Sequence, residues 1–379
     1  MNLLSPLMIR LVSFVELASI VLLPIALSVS ITLSGILVFV AIFSFLILLI
    51  VKEKSLGDFK RNNFDLNVAF LLYILTFTFT KFFNTGPHES LNTFFRFCQD
   101  YFIYSIVYIF ISQNYKNRKI IENILLISAI ISISYGLLQF FNLDFFHRQG
   151  HIGKLSGFHK NPYTYAGQLI VFFFFILSQI SSNKSDLMKM ILLCLCFFCI
   201  LNTSERAVLL GVFLSLVIYF IFKGMKDKKI LIQSSVLLVP LISAFFLNKK
   251  LLNKVKNLIL PQCIWRDNPR FKLWEVALNS WKKNIWIGTG KFLPVLHEKS
   301  PGMVHYLTHA HNVYLQVMVT NGIFGLIAFL SLIFLIFRKA FINLKTNKYS
   351  FSLILVLIAF LFEGFFEYFW GDSEVRYLL

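Results

Sequence analysis

The chain has 379 residues, 57% hydrophobic and only 14% charged, with a mean hydropathy of +0.73 and a formal net charge of +18. That composition excludes a soluble globular enzyme: apolar runs of roughly 18 or more residues recur from end to end, the length a helix needs to cross a bilayer. The short alternating segments of a membrane β-barrel do not occur, and the basic residues cluster in short loops between apolar runs, where they set topology rather than bind nucleic acid.

Leu11–Val51 is long enough for two helices with a tight turn near Ser28–Ser34. It far exceeds the apolar stretch of about 7–15 residues in a signal peptide, so none is expected there. Further spans are expected at Asn67–Phe83, Thr93–Ser112, Ile120–Phe141, Tyr163–Ser181, Met190–Leu201, Ala207–Phe222, Ile230–Leu247, Val313–Phe337 and Ser350–Trp370. The fold class is therefore all-α, a single polytopic membrane domain over 1–379 with about 11–12 transmembrane helices. Cys98, Cys194, Cys196 and Cys199 lie inside apolar runs and read as small hydrophobes; Cys263 stands alone in a polar loop, so there is no disulfide framework.

With the N-terminus in the cytoplasm, the short basic loops around Lys52–Arg61, Lys116–Lys119, Lys184–Lys189, Lys223–Lys229 and Arg338–Lys348 all fall on the inner side. The outer loops are Asn84–Asn92, Asn142–Pro162, Asn202–Arg206 and the long Asn248–Thr308, and all eight histidines lie in them or at their borders. The long loop holds eleven basic residues against Asp267, Glu275 and Glu298. Long loops escape the positive-inside rule, so this excess points to an anionic substrate at the outer face or to contact with anionic lipid.

His311 opens the run Val313–Phe337. A neutral histidine at a helix start is placed to take a proton near neutral pH; a histidine snorkelling at the interface fits the same position. Arg206, after Asn202-Thr203-Ser204-Glu205, offers a planar fork for phosphate oxygens with Glu205 as an ion-pair partner, or it is an interfacial anchor. Arg270 precedes Trp274, Trp281 and Trp286, the pattern of an amphipathic helix on the outer leaflet or of an aromatic belt. Arg148, His151, Lys154 and Phe158-His159-Lys160-Asn161-Pro162 add outer-face polarity, and Arg96 with Asp100, four apart, reads as an internal ion pair. Glu363 and Glu367, also four apart, have no evident role. A transporter would want repeat halves and charge at the midplane; no repeat is visible, and the charges gather at one face.

His311-Asn312, nine residues, Gly322, two residues, Gly325 resembles the His-Asn-x9-Gly-x-x-Gly pattern of the O-antigen ligase superfamily, which includes O-antigen polymerases and bacterial O-oligosaccharyltransferases. The resemblance spans roughly Phe158–Gly325, taking in Asn161-Pro162, Thr203-Ser204-Glu205-Arg206 and Arg270-x3-Trp274 leading to Gly288-Thr289-Gly290. It implies a glycosyltransferase of the outer face of a bacterial inner membrane, its active site partly on the periplasmic loop 248–308. The donor would be a glycan on undecaprenyl diphosphate and the acceptor the lipid A-core oligosaccharide, with no metal and no cofactor. By the same resemblance, Arg206 and Arg270 would hold the donor diphosphate and His311 would activate the acceptor hydroxyl. Asn312, His309, Lys160, Asn161, Arg148, Arg266 and Trp274 would contact substrate. Family members commonly show about twelve spans, against eleven counted here, and the single long outer loop favours ligase over polymerase.

Overall fold

The computed structural model describes residues 5–51, 59, 62–146, 154–180, 187–224, 269–299 and 309–378. Among them there is no strand. The first helices are α1 (Pro6–Val29) and α2 (Ile31–Ile50), which meet at Ser30, whose hydroxyl accepts the amide of Leu33 to cap α2. Then come α3 (Phe64–Thr85), α4 (Pro87–Gln113), α5 (Tyr115–Phe140), α6 (Pro162–Gln179), α7 (Leu187–Thr203) and α8 (Arg206–Tyr219), which runs on through a π-helical turn at Phe220–Gly224. The second half holds α9 (Pro269–Trp281), α10 (Phe292–Lys299), α11 (Val313–Ile342), α12 (Lys348–Glu363) and the short α13 (Ser373–Arg376). Seven described helices are long and apolar enough to cross a membrane: α1 to α5, α8 with its extension, and α11. The expected span Ile230–Leu247 lies outside the described residues.

Helix α6 is the axis of the bundle. Its residues Tyr165, Ala166, Leu169, Ile170 and Phe172–Phe174 are all fully buried, so it is enclosed by neighbouring helices over most of its surface. α7 and α12 pack on it, α8 packs on α12, and α3 packs along α11. Side-chain to backbone hydrogen bonds cross the apolar contacts and fix the helices against one another: Gln168 Nε2 donates to Leu27 O at 2.7 Å, Tyr165 Oη to Ser132 O at 3.0 Å, and Ser215 Oγ to Leu355 O at 2.8 Å.

Three expectations are corrected. The outer segment Asn84–Asn92 is helical except at Gly86, because Pro87 starts α4 well before Thr93. The last run does not continue to Trp370: α12 ends at Glu363, and Gly364–Phe366 turn the chain away. Beyond that turn the chain re-enters the bundle, where Arg376, 5% exposed at its side chain, pairs with Asp100 of α4 at 3.2 Å. Asp100 therefore has Arg376 as its ion-pair partner rather than Arg96, whose Nη2 donates to Gly371 O at 2.6 Å.

Candidate functional site

The site is built on the N-terminus of α11 and the turn after α12. Asn312 caps α11, its Oδ1 accepting the amide of Leu315 at 2.9 Å, while its Nδ2 donates to Phe365 O at 3.1 Å. Val313 N donates to Gly364 O at 2.8 Å and Tyr314 Oη to Leu361 O at 2.7 Å. These bonds stitch the segment around His311 to the segment that carries Glu367. They also commit both polar ends of the Asn312 side chain to structure, so it positions the site rather than facing a ligand. His311 itself has φ 46°, in the left-handed region that non-glycine residues seldom adopt. The surrounding bonds hold it there, as is usual where backbone strain serves a site.

Glu367 is the hub. Its side chain is 5% exposed and takes His311 Nδ1 at 2.8 and 3.0 Å on its two oxygens, His309 Nε2 at 3.0 Å, and the Arg270 guanidinium Nη2 at 3.6 Å. Burial alone would raise its pKa. The hydrogen bonds and charge of the two histidines outweigh burial and take the carboxyl down to about 2. An ionised Glu367 draws the ring proton of His311 to Nδ1 and leaves Nε2 as the basic nitrogen. This is the arrangement by which a carboxylate fixes the tautomer of a general base and stabilises the imidazolium it becomes.

Helix α9 brings in Arg270. The expected surface helix exists over Pro269–Trp281, yet its apolar side packs on protein: Leu273 and Ala277 are buried with Ala310 and Val319. Trp274 Nε1 donates to Ala310 O at 3.0 Å, clamping the residue before His311. The first glycine of the motif is explained further along α11. At Gly322 (φ 66°, ψ −166°) α11 breaks, and a Cβ there would lie 2.1 Å from Trp286 O. The 285–290 loop then takes up the backbone groups the break releases. Ile323 N donates to Ile285 O at 2.8 Å, Thr289 N to Val319 O at 2.7 Å and Gly290 N to Thr320 O at 2.9 Å.

The other sequence candidates divide. Arg206 begins α8 and is exposed, with no side-chain hydrogen bond or ion pair among the described residues. Glu205 is not its partner: the nearly buried carboxylate pairs with Lys154 at 2.8 Å. Tyr163, at the start of α6, is half-buried and feels the charges of Glu205, Glu367 and Arg270. Asn161 caps α6 through the amide of Tyr163 at 3.0 Å, and Lys160 is exposed beside it. His159 is buried against Gln168 at 2.9 Å and belongs to the scaffold. Arg148, His151 and Arg266 lie outside the described residues. Asp372, hydrogen-bonded by Thr164 Oγ1 at 2.7 Å, is pushed up by burial to about 6. The one hub residue that sequence reasoning passed over is Glu367; its i, i+4 spacing from Glu363 was the only signal, and a helix break, not a helix face, gives it its place.

His309, His311 and Glu367 present three ligand atoms within 4.8 Å of one another, a spacing a divalent ion could bridge. Arg270 stands against the same carboxylate at 3.6 Å and adds a positive charge beside that trio, which opposes a cation there.

A family model described as O-Antigen ligase matches residues 191–330, which include Arg206, Arg270, His311 and both motif glycines. This part of the chain is therefore similar to the O-antigen ligase family. No curated protein matches the chain.

Proposed function

We propose, from the similarity of residues 191–330 to the O-antigen ligase family and from the cluster around Glu367, that the protein transfers a glycan from undecaprenyl diphosphate to the lipid A-core oligosaccharide. The reaction takes place at the periplasmic face of the bacterial inner membrane, with the N-terminus cytoplasmic and the loop 248–308 completing the site. The observation that carries this reading is the His311–Glu367 pair, which leaves Nε2 of His311 as a base, with the Arg270 guanidinium against the same carboxylate. His311 Nε2 takes the proton of the acceptor hydroxyl as its oxygen forms a bond to the anomeric carbon. The bond from that carbon to the diphosphate oxygen breaks on the opposite face, and the configuration inverts. Arg206 and Arg270 hold the diphosphate and balance the charge it gains; a guanidinium with five donors can face Glu367 on one edge and phosphate on another. Two guanidinium groups fill the role a divalent cation has in other glycosyltransferases, so the reaction is metal-independent.

The test is complementation of a ligase-deficient Gram-negative strain that makes a matched glycan, with wild type and His311→Ala compared at equal membrane expression. Restoration of long-chain lipopolysaccharide by the wild type alone supports the reading. Lengthening of the lipid-linked glycan without ligation would replace it by polymerase activity, the other reaction of the superfamily.

A further inference from the structure

Away from His311, in the half of the bundle toward the other membrane face, two apolar cavities lie side by side. The first, about 550 Å³, sits between α3, α4, α11 and α12; the second, about 420 Å³, sits between α1, α5, α6 and α12. Leu353, Tyr377 and Leu378 line both and form the partition, and Asn347 and Ser350 at the start of α12 line both at the far end. The first cavity is roofed at mid-depth. Trp370 Nε1 donates to Tyr73 Oη at 2.9 Å there, beside the Arg376–Asp100 pair. Its floor at Lys339 and Asn343 adjoins a third, polar pocket of about 290 Å³ that holds Asp65 and Arg338.

The floor is cationic. Arg118 Nη2 donates to Asn347 Oδ1 at 3.0 Å, and its guanidinium and the Lys348 ammonium both stand over the Tyr349 ring. Lys339 donates to Asn62 O at 3.1 Å. Against these and Arg338 stand two carboxylates: Glu122, shared by Arg118 and Lys348, and Asp65, paired with Arg338 at 3.1 Å. The surplus positive charge surrounds the rim that both apolar chambers share.

We propose that this half of the bundle holds one anionic diacyl glycerophospholipid, one acyl chain in each chamber and its phosphate at the rim near Asn347, between Lys339 and Arg118. Chambers of this size and lining are of the kind that bury small apolar ligands. Two of them meeting at one polar end match two chains on one glycerol, whereas a single-chain amphiphile would fill only one. The rim's charge selects a phosphate without a compensating quaternary amine, and on the orientation read from the loops it faces the leaflet richest in anionic lipid. On the proposed function the polyprenyl donor does not fit, because its diphosphate belongs at the opposite end of α11, a segment of 30 residues. The assignment does not depend on which glycan reaction the protein performs.

The experiment uses the full chain purified in mild detergent. Lipids extracted from it are identified and counted by mass spectrometry, and delipidated protein is titrated with phosphatidylglycerol, lysophosphatidylglycerol, phosphatidylcholine and inorganic phosphate while its thermal unfolding is followed. We expect about one anionic diacyl lipid per chain, and a rise in Tm with phosphatidylglycerol that the other three probes do not match. Leu353→Trp, which fills the partition, should abolish retention. The double change Lys339→Gln with Arg118→Gln, on the rim and outside the packed core, should weaken phosphatidylglycerol binding about 10-fold and keeps the test open should the Trp variant not fold. Equal stabilisation by the lysolipid or by phosphate, retention unchanged in the rim variant, or displacement of the lipid by a polyprenyl diphosphate would each overturn the assignment.

Discussion

Replacing Glu367 by Gln tests the site most directly. The change keeps the shape and removes a charge that lies 2.8 and 3.0 Å from Nδ1 of His311 and is almost fully shielded from water. At an effective dielectric of 20, a full imidazolium at about 2.9 Å from a carboxylate gains about 6 kcal/mol. With the proton half transferred in the transition state, about half of that, roughly 3 kcal/mol, is stabilisation made only there. At about 1.4 kcal/mol per decade, kcat should fall about 100-fold, inside the span general bases supply. KM for the acceptor should change little, since Glu367 acts through His311; a shift in the donor's KM would report the contact of Glu367 with Arg270. The assay is single-turnover transfer from a fluorescent lipid-linked donor to acceptor in nanodiscs, with Tm checked for each variant. Retention of kcat within about threefold by a folded Glu367→Gln protein, while His311→Ala is dead, would refute the positioning role.

The ionisation of Glu367 also links the site to acid stability. Its folded pKa, about 2, lies below the ordinary 4.5, so its contribution of about 3 kcal/mol is present above pH 4.5 and is lost as pH falls toward 2; Glu367→Gln should flatten Tm over that window. Asp372 runs the other way. Its folded pKa of about 6 stands above 3.8, so its contribution is full below pH 3.8 and is lost as pH rises through 6. Asp372→Asn should therefore raise Tm at pH 7.5 and leave it unchanged near pH 3.5. Gly322→Ala should lower Tm by several degrees and remove activity, because the backbone there is restricted to glycine and the added carbon meets the Trp286 carbonyl; a Tm equal to wild type would show that the break is not needed. Arg206→Lys and Arg270→Lys should each cost about 10-fold in kcat/KM for the donor through loss of the bidentate fork, and unchanged kinetics in either would remove that arginine from the diphosphate site. A chelator should leave the rate unchanged; a loss restored by a divalent ion would instead make His309, His311 and Glu367 a metal centre.

Much of this architecture is written locally in the chain. The apolar runs located the described long helices, with ends that differ by up to seven residues, the break at Ser30 fell inside the expected turn, and His311 stands two residues before α11. Signals failed where the structure joins distant residues. Arg96 and Asp100 sit one helical turn apart, the cheapest pairing a sequence can suggest, yet Asp100 is claimed by Arg376, 276 residues away. Glu205 beside Arg206 misled in the same way, since Lys154 reaches it across the fold. The apolar stretch 350–370 contains no proline and only two acids, so Gly364 is its one sign that the helix stops at Glu363.

That stop decides both halves of the molecule. Had α12 run on, residue 367 would lie one turn above residue 363 on the same helix face. The turn at Gly364–Phe366 instead lets Gly364 and Phe365 offer their carbonyls to the N-terminus of α11 and swings Glu367 beneath His311. The same turn sends the chain back inward, so that Trp370 and Arg376 close the roof over the first cavity and Leu378 divides it from the second. The segment after α12 thus orients His311 at one end and shapes the chambers toward the other. A substitution that straightens it, such as Gly364→Ala, which brings a methyl group to 3.1 Å from the Phe360 carbonyl, would be expected to disturb both together, whereas the changes at Glu367 and at Leu353 each address one.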